Sequence, residues 1–183
     1  MVIGVDISQI AHEGTGVARY VAELVRALVG AGAKHQWVLF GASLRKRHVF
    51  SEFVRSLGVS GERVRLVTVP IPPTLLEPLW NTLHIIPIEW FIGRVDVFWS
   101  SDWTQPPLAG AKGVTTIHDV SFLRYAESFP NAIVEAQKRR LRHAARKCEA
   151  FFCDSEATRQ DVAKFLKVTN DKLHVVYPGY SHL

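Results

Sequence analysis

Seven short apolar runs alternate with stretches of helical periodicity along all 183 residues, and this alternation constrains the fold more than any other feature. The strand-like runs are 2–7, 37–40, 63–69, 95–99, 114–117, 151–153 and 173–177. Between them, 15–29, 51–57, 75–86, 130–147 and 157–166 carry apolar residues at helical spacing. Val17, Val21, Leu24, Val25 and Leu28 share one helical face, and Gly30 and Gly32 end that segment. Pro70, Pro72 and Pro73 stop the third strand, and Pro87 breaks the helix expected before it. Strands alternating with helices over a whole chain predict an α/β fold, a single Rossmann-like, doubly wound and mainly parallel sheet.

A hydrophobic content of 48% fits one globular domain with a sizeable core and excludes a disordered chain. Asp6 interrupts the N-terminal apolar run too early for a signal peptide, and Leu83–Gly93 is too short to span a bilayer. These features predict a cytoplasmic protein. Cys148 and Cys153 flank an expected helix-to-strand junction and are read as reduced thiols, with no metal site expected. The net charge of +5 suits a phosphate-bearing partner or an anionic membrane surface without dictating either. The basic runs Arg45–His48 and Lys138–His143 read as solvated faces, or as docking points on anionic headgroups at the inner face of the membrane. No nucleic-acid motif accompanies them.

In an open parallel sheet, ligands sit outside the carboxyl ends of the strands. Four loops place chemistry there. Gly14-Thr15-Gly16 leads from the first strand into a helix, where small residues and free N–H groups suit an anion such as a diphosphate. Taken in isolation, the loop reads first as a plain turn with a glycine-assisted helix start. His118-Asp119 ends the fifth strand. Its imidazole can take or orient a hydroxyl proton, and Asp119 can fix the tautomer, bind a hydroxyl or simply cap a turn. After the fourth strand, Asp102 can bind sugar hydroxyls and Trp103 can stack on a sugar face or sit half-hidden in a polar loop. Ser155, in Asp154-Ser155-Glu156, is a good helix N-cap at the same edge, with a binding role for Ser155 and Glu156 as the alternative.

On Gly14-Thr15-Gly16-Val17-Ala18-Arg19-Tyr20, Asp96-Val97-Phe98, Thr116-Ile117-His118-Asp119-Val120-Ser121-Phe122, Asp154-Ser155-Glu156 and Val175-Val176-Tyr177-Pro178-Gly179, the chain resembles the N-terminal domain of a family 4 retaining glycosyltransferase of the GT-B fold. The resemblance implies two Rossmann-like domains facing each other across a cleft, the N-terminal one binding mainly the acceptor. It implies that Gly14, Thr15, Gly16 and Arg19 approach the donor diphosphate. His118 and Asp119 become the catalytic candidates. Arg124 is placed to meet an acceptor phosphate, beside acceptor contacts at Asp102, Trp103, Ser155 and Glu156. No metal and no cofactor is implied, the nucleotide-diphosphate sugar being a substrate.

A complete enzyme of this kind is about twice as long, so residues 1–183 are expected to be the acceptor-side domain, without the donor-binding one. The expected reaction moves a hexose, mannose being one candidate, to a lipid-linked or polysaccharide acceptor, with little activity from this chain alone. A donor-binding domain in cis or in trans is the expected partner. Two alternatives stay open: a non-catalytic module that binds glycan or membrane and recruits a catalytic partner, and a minimal transferase active as a dimer.

Overall fold

The computed structural model describes residues 1–179. It contains one sheet of seven strands in the order β3-β2-β1-β4-β5-β6-β7, every adjacent pair parallel. The strands are β1 Val2–Asp6, β2 Gln36–Ala42, β3 Val64–Val69, β4 Val97–Ser100, β5 Lys112–Ile117, β6 Cys148–Cys153 and β7 Leu173–Val175. The doubly wound α/β sheet expected from the alternation is therefore present. Chain direction across the sheet reverses between β1 and β4, which pair through Ile3↔Val97, Gly4↔Phe98 and Val5↔Trp99. Such a reversal opens a crevice at the carboxyl edge.

β2 shows why the sheet is covered on both faces. Trp37 and Leu39 pack with α1 (Gly16–Ala31) and α2 (Arg47–Ser56). Val38, Phe40 and Ala42 point the other way, into a layer built by Leu76, Trp80, Ile88 and Ile92. That layer comprises α3 (Pro73–Glu77), a π-helical turn (Pro78–Thr82) and α4 (Glu89–Ile92). A strand buried on both sides reads as a continuous apolar run, as β2 does. A third cluster joins β5, β6 and β7 to α5 (Ser121–Arg124), α6 (Asn131–Lys147) and α7 (Glu156–Leu166).

The structure corrects three sequence expectations. The single helix expected over 75–86 is a short α3 followed by the π-turn, because Pro78 has no N–H to give and the widened turn closes instead through Leu83 N to Pro78 O at 2.9 Å. The basic run in α6 is only partly a solvated face. Arg140 is buried, Arg139 pairs with Glu77 at 3.1 Å, and the His143 ring stacks on His84 with centroids 3.7 Å apart. Finally, β6 begins on Cys148 and ends on Cys153, so the two cysteines bracket a strand, and burial raises the Cys148 thiol to about 12. The resemblance to family 4 glycosyltransferases also implies an interdomain hinge beginning just past Pro178-Gly179, and this position lies outside the described residues.

Candidate functional site

His118 is the first residue after β5, and Asp154 is the first after β6. The register Ile117↔Cys153 sets those two ends side by side. Their side chains meet, His118 Nδ1 lying 2.7 Å from Asp154 Oδ2. Both remain partly open to solvent, at 22% and 20%. The Tyr20 ring of α1 packs edge-on against the imidazole, with centroids 4.8 Å apart and planes at 90°. The Tyr20 hydroxyl is 3.4 Å from Thr116 Oγ1, which also accepts from Trp99 Nε1 at 3.1 Å. Burial, more than the nearby Asp154 charge, raises the Tyr20 pKa. Thr158 of α7 donates its hydroxyl to the His118 carbonyl at 3.1 Å. Side chains from three elements thus fix this histidine, and no described residue bonds its Nε2.

The glycine loop stands on the same rim. Gly14 has φ +84°, a conformation that favours glycine. Thr15 caps α1, its hydroxyl accepting from Ala18 N at 3.2 Å and donating to His12 O at 2.9 Å. The Gly16 and Val17 amides lie in the opening turn, which carries no acidic side chain, and helix N-termini of this kind attract anions. A Cβ added at Gly16 would meet nothing within 4 Å, so packing inside the protein does not demand this glycine. Tyr20 lies one helical turn beyond Gly16 and links the loop to His118. Gly16, Arg19, Tyr20 and Glu23 form one wall of a cleft of about 650 Å3, and Val176–Gly179 form the opposite wall.

Asp119 is exposed and does not pair with His118. Its Oδ1 accepts the Ser121 amide at 2.9 Å and the Ser121 hydroxyl at 2.5 Å, which starts α5. The carboxylate holding the imidazole is Asp154, a role that sequence reasoning considered only for Asp119. Ser155 caps α7, accepting from Thr158 N at 3.1 Å. Glu156 is bonded along its own helix by Arg159 and Gln160, and the Arg159 contact lowers its pKa. Arg124 forms an ion pair with Asp161 of α7. These three side chains are committed to structure, while Gly16 and Arg19 line the cleft and His118 packs on the Tyr20 ring that borders it.

The loop after β4 sits above a polar cluster not foreseen from the sequence. Arg140 is 3% exposed and donates to Ser101 O at 3.0 Å, Thr115 Oγ1 at 2.8 Å and Thr116 O at 3.2 Å. Burial lowers its pKa, and the nearby Asp102 charge opposes that shift. Asp6, the last residue of β1, is also buried, and desolvation raises its carboxyl pKa although the Ser8 amide donates to it at 2.9 Å. Gln137 donates to the Asp102 carbonyl at 3.0 Å, and Trp103 is half-buried beside it. Among the described residues no group of three or more His, Cys, Asp or Glu is arranged to hold a metal. No described helix is long and apolar enough to cross a membrane.

The sequence matches the family model described as Glycosyltransferase Family 4 over residues 14–182. Comparison with curated proteins returned no match.

Proposed function

The chain belongs to glycosyltransferase family 4, and from that premise we propose that it is the acceptor-side domain of a retaining hexosyltransferase. The observation that carries this reading is the shared position of His118, held by Asp154 and Tyr20, and the open Gly14–Gly16 loop on one carboxyl rim. With Asp154 accepting from Nδ1–H, His118 Nε2 is the free acceptor. It receives a hydrogen bond from a sugar hydroxyl near the bond being made. The Gly16 and Val17 amides and the positive end of α1 favour the departing diphosphate, and stabilising a leaving group's charge is commonly a dominant catalytic term. The remaining donor contacts come from a donor-binding domain in cis or in trans. The donor is a nucleotide-diphosphate hexose, and the acceptor a lipid-linked or polysaccharide glycan. Such a reaction takes place in the cytoplasm, at the inner face of the membrane when the acceptor is a lipid.

The test is transfer from GDP- and UDP-hexoses to lipid-linked and free glycan acceptors. The chain is assayed alone and with a family 4 donor-binding domain in trans. The expected result is near-background turnover alone and transfer with retention in the pair, read by NMR of the anomeric product. His118→Ala should lower kcat by about 10²–10⁴, the usual range for losing a positioned proton-transfer or hydrogen-bonding group. Asp154→Asn should give a smaller loss with the fold intact. Unchanged kcat in His118→Ala, or robust transfer by the 183-residue chain alone, would defeat the reading.

A further inference from the structure

A groove of about 500 Å3 opens between α3, the loop after β4 and the first turns of α6. Trp103 forms one wall, and Thr74, Glu77, Asn131, Glu135 and Arg139 supply its polar lining. It is separate from the cleft beside Gly16, yet it opens at the end of β4, the neighbour of the strand that carries His118.

The protein commits buried polar groups to placing this tryptophan. Asn81 is 1% exposed, and its amide Nδ2 donates to the Trp103 carbonyl at 3.0 Å while its Oδ1 accepts from Gln105 N at 2.9 Å. Gln137 grips the preceding carbonyl at 3.0 Å. A buried amide is costly unless bonded at both ends, and both ends of this one hold the loop 103–105. Asn81 itself sits in the π-helical turn Pro78–Thr82, a rare geometry that is frequent at functional sites. Across the groove, Glu77 and Arg139 are paired at 3.1 Å, and Arg139 Nε is buried without a hydrogen-bond partner.

An indole wall facing carboxylate, hydroxyl, amide and guanidinium groups matches a pyranose. The sugar's C–H face covers the ring, and its hydroxyls both donate and accept. Glu77 and Glu135 disfavour a phosphate in the same place. We propose that this groove is a glycan subsite that holds a neutral sugar unit of the acceptor by stacking on Trp103. The proposal rests on the acceptor-side reading above and adds to it a second contact, outside the reacting centre. Asn81 acts as a positioning residue for it.

The test labels the full chain with 5-fluorotryptophan and follows its five tryptophans by fluorine NMR, the Trp103 signal being assigned with Trp103→Phe. Mannotriose, maltotriose, cellotriose and inorganic phosphate are the probes. The expected result is a saturable shift confined to the Trp103 signal with at least one trisaccharide, with Kd of about 1–10 mM. Glu77→Gln should weaken that binding by about tenfold. The Glu77–Arg139 pair is partly buried, at 18% and 33% exposed, and glutamine keeps an oxygen for the guanidinium, so Glu77→Gln should lower the urea midpoint only modestly, leaving the protein folded under the NMR conditions. His118→Ala should keep the Trp103 shift while lowering transfer by the pair with a donor-binding domain by about 10²–10⁴, which separates this proposal from the transferase reading. A shift that persists where no transfer is ever found still supports the groove. No Trp103 response to any trisaccharide at about 50 mM, a response to phosphate alone, or loss of the shift in His118→Ala would overturn it.

Discussion

At Gly16 an added Cβ would meet no atom within 4 Å, and the residue opens a regular 16-residue helix. Alanine there should stabilise the fold by about 0.5 kcal/mol, because it restricts the unfolded chain at a position whose backbone tolerates it. The same methyl group would stand over the α1 amides, the place proposed above for the donor diphosphate. The expected outcome for Gly16→Ala is a raised urea midpoint for the chain alone and weaker binding of GDP or UDP by its pair with a family 4 donor-binding domain in trans. A variant that binds nucleotide diphosphate as tightly as the parent removes the loop from the donor site. Asp6 argues in the other direction, toward stability. Desolvation raises its native pKa above the unfolded value of about 3.9. Its carboxyl therefore contributes stability that is complete below about pH 3.9 and is lost as pH rises through the native value. Asparagine at this position does not titrate and retains an oxygen for the Ser8 amide. The unfolding free energy of Asp6→Asn minus that of the parent should climb between about pH 4 and pH 7. Urea melts at several pH values check this, and a flat difference refutes it. Among the site residues, His118 was legible because it directly follows a β-rich run. Its partner Asp154 was not, because only the parallel register of β5 and β6 makes residues 36 positions apart into neighbours. Asp119, next to His118 in sequence, is claimed by the local turn that starts α5.

α6 shows how an element's sequence can mislead about its faces. Lys138-Arg139-Arg140 reads as a charged surface strip, and the apolar spacing of Ile133, Val134, Leu141, Ala144 and Ala145 predicts only which side is inward, with Ile133 exposed in the fold because it lies in the first turn of the helix. In the fold, Arg140 crosses inward over the ends of β4 and β5 and fastens the helix to Ser101 and Thr116 through their carbonyls. No carboxylate pairs with it within 4 Å among the described residues, so its charge is balanced by carbonyl dipoles and the Asp102 field. Arg140→Met should cost about 3 kcal/mol, since it strips a charged donor from buried acceptors and leaves Asp102 Oδ1, already buried without a hydrogen-bond partner, with no compensating cation. Arg140→Lys should recover only part of this loss, as one ammonium cannot reproduce the planar fork. Urea denaturation of the pair is the check, and equal stability of Met and Arg at position 140 would show that the buried charge contributes nothing net. The strands were legible because each is a compact apolar run bounded by polar or proline residues. The π-turn was not, since its apolar spacing mimics a helix and only the missing Pro78 N–H and the demand for a clamp on Trp103 distinguish it.

For the molecule as a whole, the decisive seam is the β1–β4 pair. The chain lays down β1, β2 and β3 toward one edge and β4 to β7 toward the other, so the halves share a single three-residue register. The rim depends on this seam. Gly16 and Tyr20 arrive from one half and His118 and Asp154 from the other, and they meet through Tyr20 against the imidazole. Gly4 lies within the seam, opposite Phe98. A Cβ there would come within 2.8 Å of the Phe98 ring and 3.0 Å of Ile92 Cδ1, both fully buried. A close-packed interior cannot yield that space without moving a strand or a rotamer, a cost of typically 1–3 kcal/mol. Gly4→Ala should therefore lower the urea midpoint by that amount. If the seam joins the halves into one cooperative unit, far-UV circular dichroism and tryptophan fluorescence should still report a single coincident transition. Trp37 lies on β2 in the first half, and Trp99 on β4 and Trp103 just after it in the second, so the fluorescence samples both halves. Separate transitions in the variant would mean that the halves fold independently. The cleft mouth would then be an interface between two units, free to change shape when an acceptor or a donor-binding partner docks.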